Sequence, residues 1–242
     1  MNGPEPTASR RPILTTRAAL LCVIVVLVLT NLADNRWAPS WILLTALVTT
    51  TVLIVLAWLA GCDADDIGLG RADLPRQLRW AGTLVLVVAC CYLAVALVPA
   101  GQGLFEDRRT GGLGARELLW RVCVAVPVGT VLLEEVAFRG VLYGLVDRDF
   151  GTRAAIGFSS LLFGLWHILP SLHLNDAKPV LGSVFGHSPW GAVLVNAAAV
   201  LFTAAAGVVL CVLRRLSGGL LAPMALHWAT NAFGYLVAHL VE

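Results

Sequence analysis

The chain has 242 residues, of which 58% are hydrophobic and 13% charged, with a formal net charge of +2. Soluble domains carry about 25% charged residues, so this composition excludes an ordinary soluble domain and points to a protein solvated by a lipid bilayer. No nucleic-acid partner is expected. The six cysteines (Cys22, Cys62, Cys90, Cys91, Cys123 and Cys211) contain no C-x-x-C and mostly sit in apolar runs, which reads as free, buried thiols.

Residues 1–12 are polar and contain Arg10 and Arg11. The apolar run 13–33 that follows is too long for a signal peptide core and lacks an A-x-A cleavage site, so it reads as a retained first span. The second span is 41–61, with Trp37, Trp41 and Trp58 where an interfacial aromatic belt would place them. Residues 62–79 form a charged loop, and 80–99 form the third span. Residues 100–115 are glycine-rich and charged, which suits a loop or a short interfacial piece.

The fourth span, 116–145, would be about 45 Å long if wholly α-helical, so it must tilt or overhang the bilayer. Pro127 lies inside it and cannot donate to the carbonyl of Cys123, which predicts a kink. The fifth span, 154–169, is short, carries His167 and ends at Pro170. A loop over 171–189 leads to the sixth span, 190–213. A basic turn over 214–219 leads to the seventh, 220–241. The expected fold is all-α: a polytopic bundle of about seven transmembrane helices around an intramembrane cavity. It is one membrane domain, with an N-terminal tail and three spans in 1–115 and a functional core in 116–242.

Lys and Arg set the orientation. Arg10, Arg11, Arg17, Arg71, Arg76, Arg79, Arg148, Arg153, Arg214 and Arg215 fall on the N-terminal side, against Arg36, Arg108, Arg109, Arg116 and Lys178 on the other. The positive-inside rule then places a multi-pass protein in the cell membrane, with a cytoplasmic N-terminus and an extracytoplasmic C-terminus.

Polar residues inside apolar segments are where function is expected. A charged side chain at the bilayer centre costs about 2.5–3.5 kcal/mol on the insertion scale, so it faces the protein interior. Glu134, Glu135 and Arg139 interrupt the apolar run 118–146. Glu135 and Arg139 are four apart and can brace one helix face as a pair. Glu134 is turned by about 100° and needs another neighbour. A carboxylate there suits a general base acting on water. Gly140 and Gly144 would let another helix approach closely.

Phe163 lies one turn before His167 on the same face and argues that this imidazole is buried. His227 and Asn231 also share a face, and together they can donate hydrogen bonds to one oxygen, as an oxyanion hole requires. Trp166 and Trp228 flank the two histidines and are expected to wall the cavity. Measured from the cytoplasmic ends, Glu134 lies about 17 Å deep, His167 about 20 Å and His227 about 11 Å. The three can meet. A glutamate and two histidines are also an ordinary zinc set, although no H-E-x-x-H places two ligands on one helix. His173, His187 and His239, and the charges Asp147, Arg148 and Asp149, read as ordinary loop or terminal residues.

The ordered set Glu134-Glu135-x-x-x-Arg139, Phe163-x-x-x-His167 and His227-x-x-x-Asn231, with Pro223 upstream of the last, resembles the CAAX-protease and bacteriocin-processing family. This family of intramembrane endopeptidases includes the type II CAAX prenyl endopeptidases. The resemblance covers 117–240. It implies an intramembrane glutamic endopeptidase that hydrolyses a peptide or membrane-protein substrate without a covalent intermediate. In that reading Glu134 with His167 activates water, His227 with Asn231 stabilises the oxyanion, and Glu135, Arg139 and Phe163 support them. No metal or other cofactor is expected, with zinc as the alternative. The rival classes are a non-catalytic immunity or scaffold protein and, less favoured, a proton or solute carrier, since no inverted repeat is visible.

Overall fold

A computed structural model describes residues 12–71, 73–108, 112–172 and 174–241. The N-terminal tail with Arg10 and Arg11, as well as Arg109 and His173, lies outside the described residues. All regular structure among the described residues is helical. The long helices are α1 (Thr16–Leu32), α2 (Ile42–Leu59), α3 (Leu74–Ala96), α4 (residues 115–150), α5 (Thr152–Trp166), α6 (Pro189–Ser217) and α7 (Leu221–Val241). Short helices Pro99–Gln102, Leu174–Ala177 and Pro179–Phe185 lie in the connections.

Four segments are long and apolar enough to cross a membrane: Thr16–Trp37, Pro39–Leu59, Leu74–Ala96 and Pro189–Ser217. The expected count was seven. α5 has only 15 residues, and α4 and α7 carry the polar residues that lower their hydropathy. Boundaries also move. α3 begins at Leu74 with Pro75 in its first turn, where a proline costs no hydrogen bond. Trp37, Trp41 and Trp58 are exposed, as a belt requires.

α4 is not a uniform α-helix. Residues Arg121–Leu132 and Glu135–Leu142 are wound as π-helix, with α-helical ends at Ala115–Trp120 and Tyr143–Phe150. Glu134 sits between the two wide stretches. Pro127 explains part of this. In i→i+5 winding the carbonyl that loses its donor to Pro127 is that of Val122, not Cys123. The indole Nε1 of Trp228 donates to that carbonyl at 2.9 Å. A helix that a proline would otherwise break is thus continued with its orphan acceptor satisfied by α7. Trp228 packs on Phe233 with ring centroids 6.0 Å apart. It joins Leu118, Val122 and Ala232 and does not line the cavity.

Around α4 the bundle closes pairwise: α1 on α2, α2 on α4, α5 on both α4 and α6, and α3 on α7. In lipid there is no hydrophobic force between helices, so close approach and dispersion hold them. A Cβ at Gly164 of α5 would sit 2.7 Å from the carbonyl oxygen of Val200 in α6, so the two backbones touch. Gly140 and Gly144 do admit a neighbour, but it is loop backbone rather than a helix. Their Cβ positions would meet the carbonyls of Ile67 and Asp66, at 3.1 and 2.5 Å.

The loop after α2 is therefore wedged into the bundle. Arg214 of α6 holds it there, donating from Nη2 to the Asp66 carbonyl while its guanidinium covers the Tyr143 ring at 4.1 Å. Arg148 is not solvated loop charge either. It lies in the last turn of α4 and donates to the Ala60 carbonyl at 2.7 Å and to Thr16 Oγ1 at 3.2 Å, tying the ends of α1 and α2 together. Of the cysteines, all free, only Cys62 and Cys211 are buried. The other four face outward, which departs from the expectation of buried thiols.

Candidate active site

Every residue from 133 to 146 is buried, and this stretch holds Glu134, Glu135 and Arg139. Arg139 meets Glu135 as a fork, Nε to Oε2 at 2.8 Å and Nη2 to Oε1 at 2.6 Å, with both side chains fully buried. The i, i+4 spacing makes the pair local, and the planar fork makes it strong. The guanidinium also lies over the Phe163 ring, 4.0 Å from its centroid. Phe163 therefore packs across the guanidinium of the pair.

Glu135 has a second partner. His227 Nδ1 lies 2.7 Å from Glu135 Oε1. A carboxylate can only accept, so Nδ1 carries the hydrogen and the neutral ring presents a lone pair at Nε2. That nitrogen faces Glu134 Oε2 at 3.8 Å. The distance is beyond a hydrogen bond. Glu134 Oε2 is buried and has no hydrogen-bond partner. The other oxygen, Oε1, accepts from the indole Nε1 of Trp166 at 3.0 Å.

His167 directs its Nδ1 at the carbonyl of Phe163, 2.8 Å away, and stacks edge-on to the Phe163 ring with centroids 4.7 Å apart. Its Nε2 is then also the lone-pair nitrogen of the neutral ring. Phe163 stands between the two imidazoles, 6.1 Å from His227 by ring centroids. Among the described residues Glu134 accepts a bond from Trp166 and faces His227, not His167. His167 instead lines a cavity of about 800 Å³ together with Asn231, Thr130, Thr203 and Ser171. The cavity is otherwise mostly apolar, with Tyr92, Phe105, Phe185 and Phe202 in its wall. A pocket of this size with few convergent polar groups is where an extended peptide segment can lie.

The structure thus gathers Glu134, Glu135, Arg139, Phe163 and His227 into one cluster and places His167 and Asn231 in the wall of a nearby cavity. Zinc requires at least three ligands brought to one point. Among the described residues no group of three or more His, Cys, Asp or Glu side chains is gathered at one point.

Three contributors were missed by sequence reasoning. Trp166 was expected as cavity wall, yet its indole is a donor to the key carboxylate. Asn31 donates from Nδ2 to the Trp166 carbonyl at 3.0 Å. Asp34, bonded to Thr45 Oγ1 at 2.5 Å, lies within electrostatic reach of Glu134. A polar Asn31 and Asp34 at the end of an apolar span were a readable signal for the last two. Of the histidines expected to be ordinary, His187 pairs with Asp176 at 3.2 Å on the exposed surface.

The family model described as type II CAAX prenyl endopeptidase Rce1-like matches residues 116–233. No curated protein and no solved structure matches the chain. The matched segment holds nearly all of α4, the whole of α5 and α6, and the part of α7 that bears His227 and Asn231. Through this segment, which contains every member of the cluster, the chain is similar to the Rce1-like family of type II CAAX prenyl endopeptidases.

Proposed function

We propose that this protein is a multi-pass glutamic endopeptidase that hydrolyses a peptide bond within the membrane, with Glu134 as the general base. The observation that carries this reading is the unpartnered Oε2 of Glu134, opposed to Nε2 of His227 at 3.8 Å, with Thr130 and Asn231, four residues away on the same helices, lining a cavity large enough for a peptide. A water bridging the two atoms gives its proton to Glu134, and its oxygen attacks the substrate carbonyl carbon in the cavity. His227 orients that water, and Glu135 with Arg139 fixes its ring. The oxyanion of the tetrahedral intermediate is met by the Asn231 carboxamide and by His167 when its ring is protonated. Glu134 then returns the proton to the leaving amine, the C–N bond breaks, and two peptides leave with no acyl-enzyme. Relative to the expectation from sequence, the two histidines exchange roles.

The charge asymmetry supports a cytoplasmic N-terminus, with α4, α5 and α7 also embedded, which makes seven spans. A reporter fused after residue 215 should read cytoplasmic and one after residue 242 extracytoplasmic.

The direct test is purified full-length protein in nanodiscs, stripped with chelator and given a quenched fluorescent peptide carrying a C-terminal prenylated CAAX-type sequence. Wild type should cleave it. Glu134→Gln and Glu134→Ala should fall by about 10²–10⁴-fold, the range for loss of a general base. Retained cleavage by Glu134→Gln would instead favour a non-catalytic role for the carboxylate. Activity that disappears on stripping and returns with stoichiometric zinc would move the histidines and Glu134 to ligand roles.

A further inference from the structure

We propose that Trp166 and Asn31 form a bracket that positions the Glu134 carboxylate, so that α1, outside the family-matched segment, is part of the catalytic apparatus. This rests on the reading of Glu134 as base.

A base must present one oxygen to water in a fixed direction. Glu134 has two carboxylate oxygens in a buried setting, and only one is bonded, Oε1 to Trp166 Nε1 at 3.0 Å. An indole N–H is a donor and nothing else, so this bond has one sense, and it fixes which oxygen is left for the water. The indole is itself held at two points. Its ring meets Phe138 edge to face with centroids 5.8 Å apart, and Phe138 is one turn beyond Glu134 on the same helix. Its backbone carbonyl, in the last turn of α5 where helix carbonyls lose their intrahelical donors, accepts from Asn31 Nδ2 at 3.0 Å. Asn31 is buried, and its own carbonyl oxygen of the backbone accepts from Asn35 Nδ2 at 2.9 Å, so the end of α1 is fixed in turn.

Neither residue touches the reacting atoms. Both act through Glu134, and their loss should therefore change turnover rather than binding. A misdirected carboxylate costs rate because near-attack geometry is lost, while the cavity that binds the peptide is untouched.

The experiment compares wild type, Trp166→Phe and Asn31→Leu as full-length proteins on the prenylated peptide probe described above. Trp166→Phe keeps an aromatic ring and removes the N–H. Replacing Trp166 with benzothienylalanine removes only the N–H and guards against misfolding of the phenylalanine variant. The expected result is a fall in kcat of about 10- to 100-fold for both position-166 variants, the range for a hydrogen bond to a charged group. KM should stay within about twofold, and Asn31→Leu should show a smaller fall in kcat. In a Glu134→Ala background Trp166→Phe should lower the residual rate no further. A benzothienylalanine protein with kcat within twofold of wild type overturns the proposal.

A second readout does not depend on activity. In protein labelled with ¹⁵N-tryptophan, the Trp166 indole signal, identified by its loss in Trp166→Phe, should move on Glu134→Ala. Its failure to move overturns the bracket. If wild type cleaves nothing, the protease reading fails, and the indole signal alone still decides whether the bracket exists.

Discussion

α3 and the 133–146 stretch of α4 are both helical and both rich in apolar residues, yet they are opposites in place and in chemistry. α3 passes every test of length and hydropathy for a membrane span, and only its Gln77 and Val88 are buried. It leans on α7, puts Tyr92 into the cavity wall and turns most of its other side chains outward. The 133–146 stretch is buried without a gap and carries two carboxylates and a guanidinium. In water the most apolar helix goes inside. In lipid the ordering inverts, because apolar side chains are at home outside and polar ones must find partners within. Hydropathy therefore picks out the scaffold, while the helices that carry the polar cluster score poorly as spans.

Substitutions should separate the two regions sharply. Arg139→Leu strands Glu135 in the interior with His227 alone, and breaking a buried ion pair in this way costs about 3–5 kcal/mol. Thermal unfolding in detergent should show a large drop, or the protein should fail to accumulate. An unchanged midpoint would mean that the fork is not what holds the segment. Next comes Asn231→Ala, which should lower kcat by about 10²–10³-fold with the unfolding midpoint preserved, as for loss of one oxyanion donor. A variant with normal turnover would remove Asn231 from the reacting centre. Gly144→Ala brings a methyl group to 2.5 Å from the Asp66 carbonyl oxygen, so the wedged loop must shift. Overpacking of this kind costs about 1–3 kcal/mol, readable as a lower midpoint. At the far end, Cys90→Ala and Cys91→Ala on exposed faces of α3 should stay within about 0.5 kcal/mol of wild type and leave cleavage unaffected. A larger loss there would erase the contrast between scaffold and core.

The residues of the cluster were legible because each is polar in an apolar run, and a polar group in lipid needs a reason. Spacing alone also supplied the Glu135–Arg139 pair, since i, i+4 neighbours meet on any helix. Partners across helices were not legible. That Glu134 faces His227 and not His167 depends on the azimuth of α4, which hydropathy does not encode. The wide winding was invisible for the same reason: Pro127 predicts a kink, and the helix instead takes up the proline by i→i+5 winding. The wedged loop was hidden behind its charges. Asp63, Asp65 and Asp66 read as solvent-exposed, while the groups that enter the bundle are the backbone carbonyls of Asp66 and Ile67.

The bond from Trp228 to Val122 has a consequence for phase. A helix closed by i→i+5 bonds turns less per residue than one closed by i→i+4 bonds. Twelve residues so wound, Arg121–Leu132, therefore set the compass bearing at which Glu134 leaves the axis. The indole that satisfies Val122 belongs to the same helix as His227, one residue further along. α7 thus carries both the imidazole that Glu134 must face and the latch that keeps α4 turned toward it. The two bearings are locked to one shaft, and deleting a single residue between Arg121 and Leu132 would throw them out of step without touching either side chain.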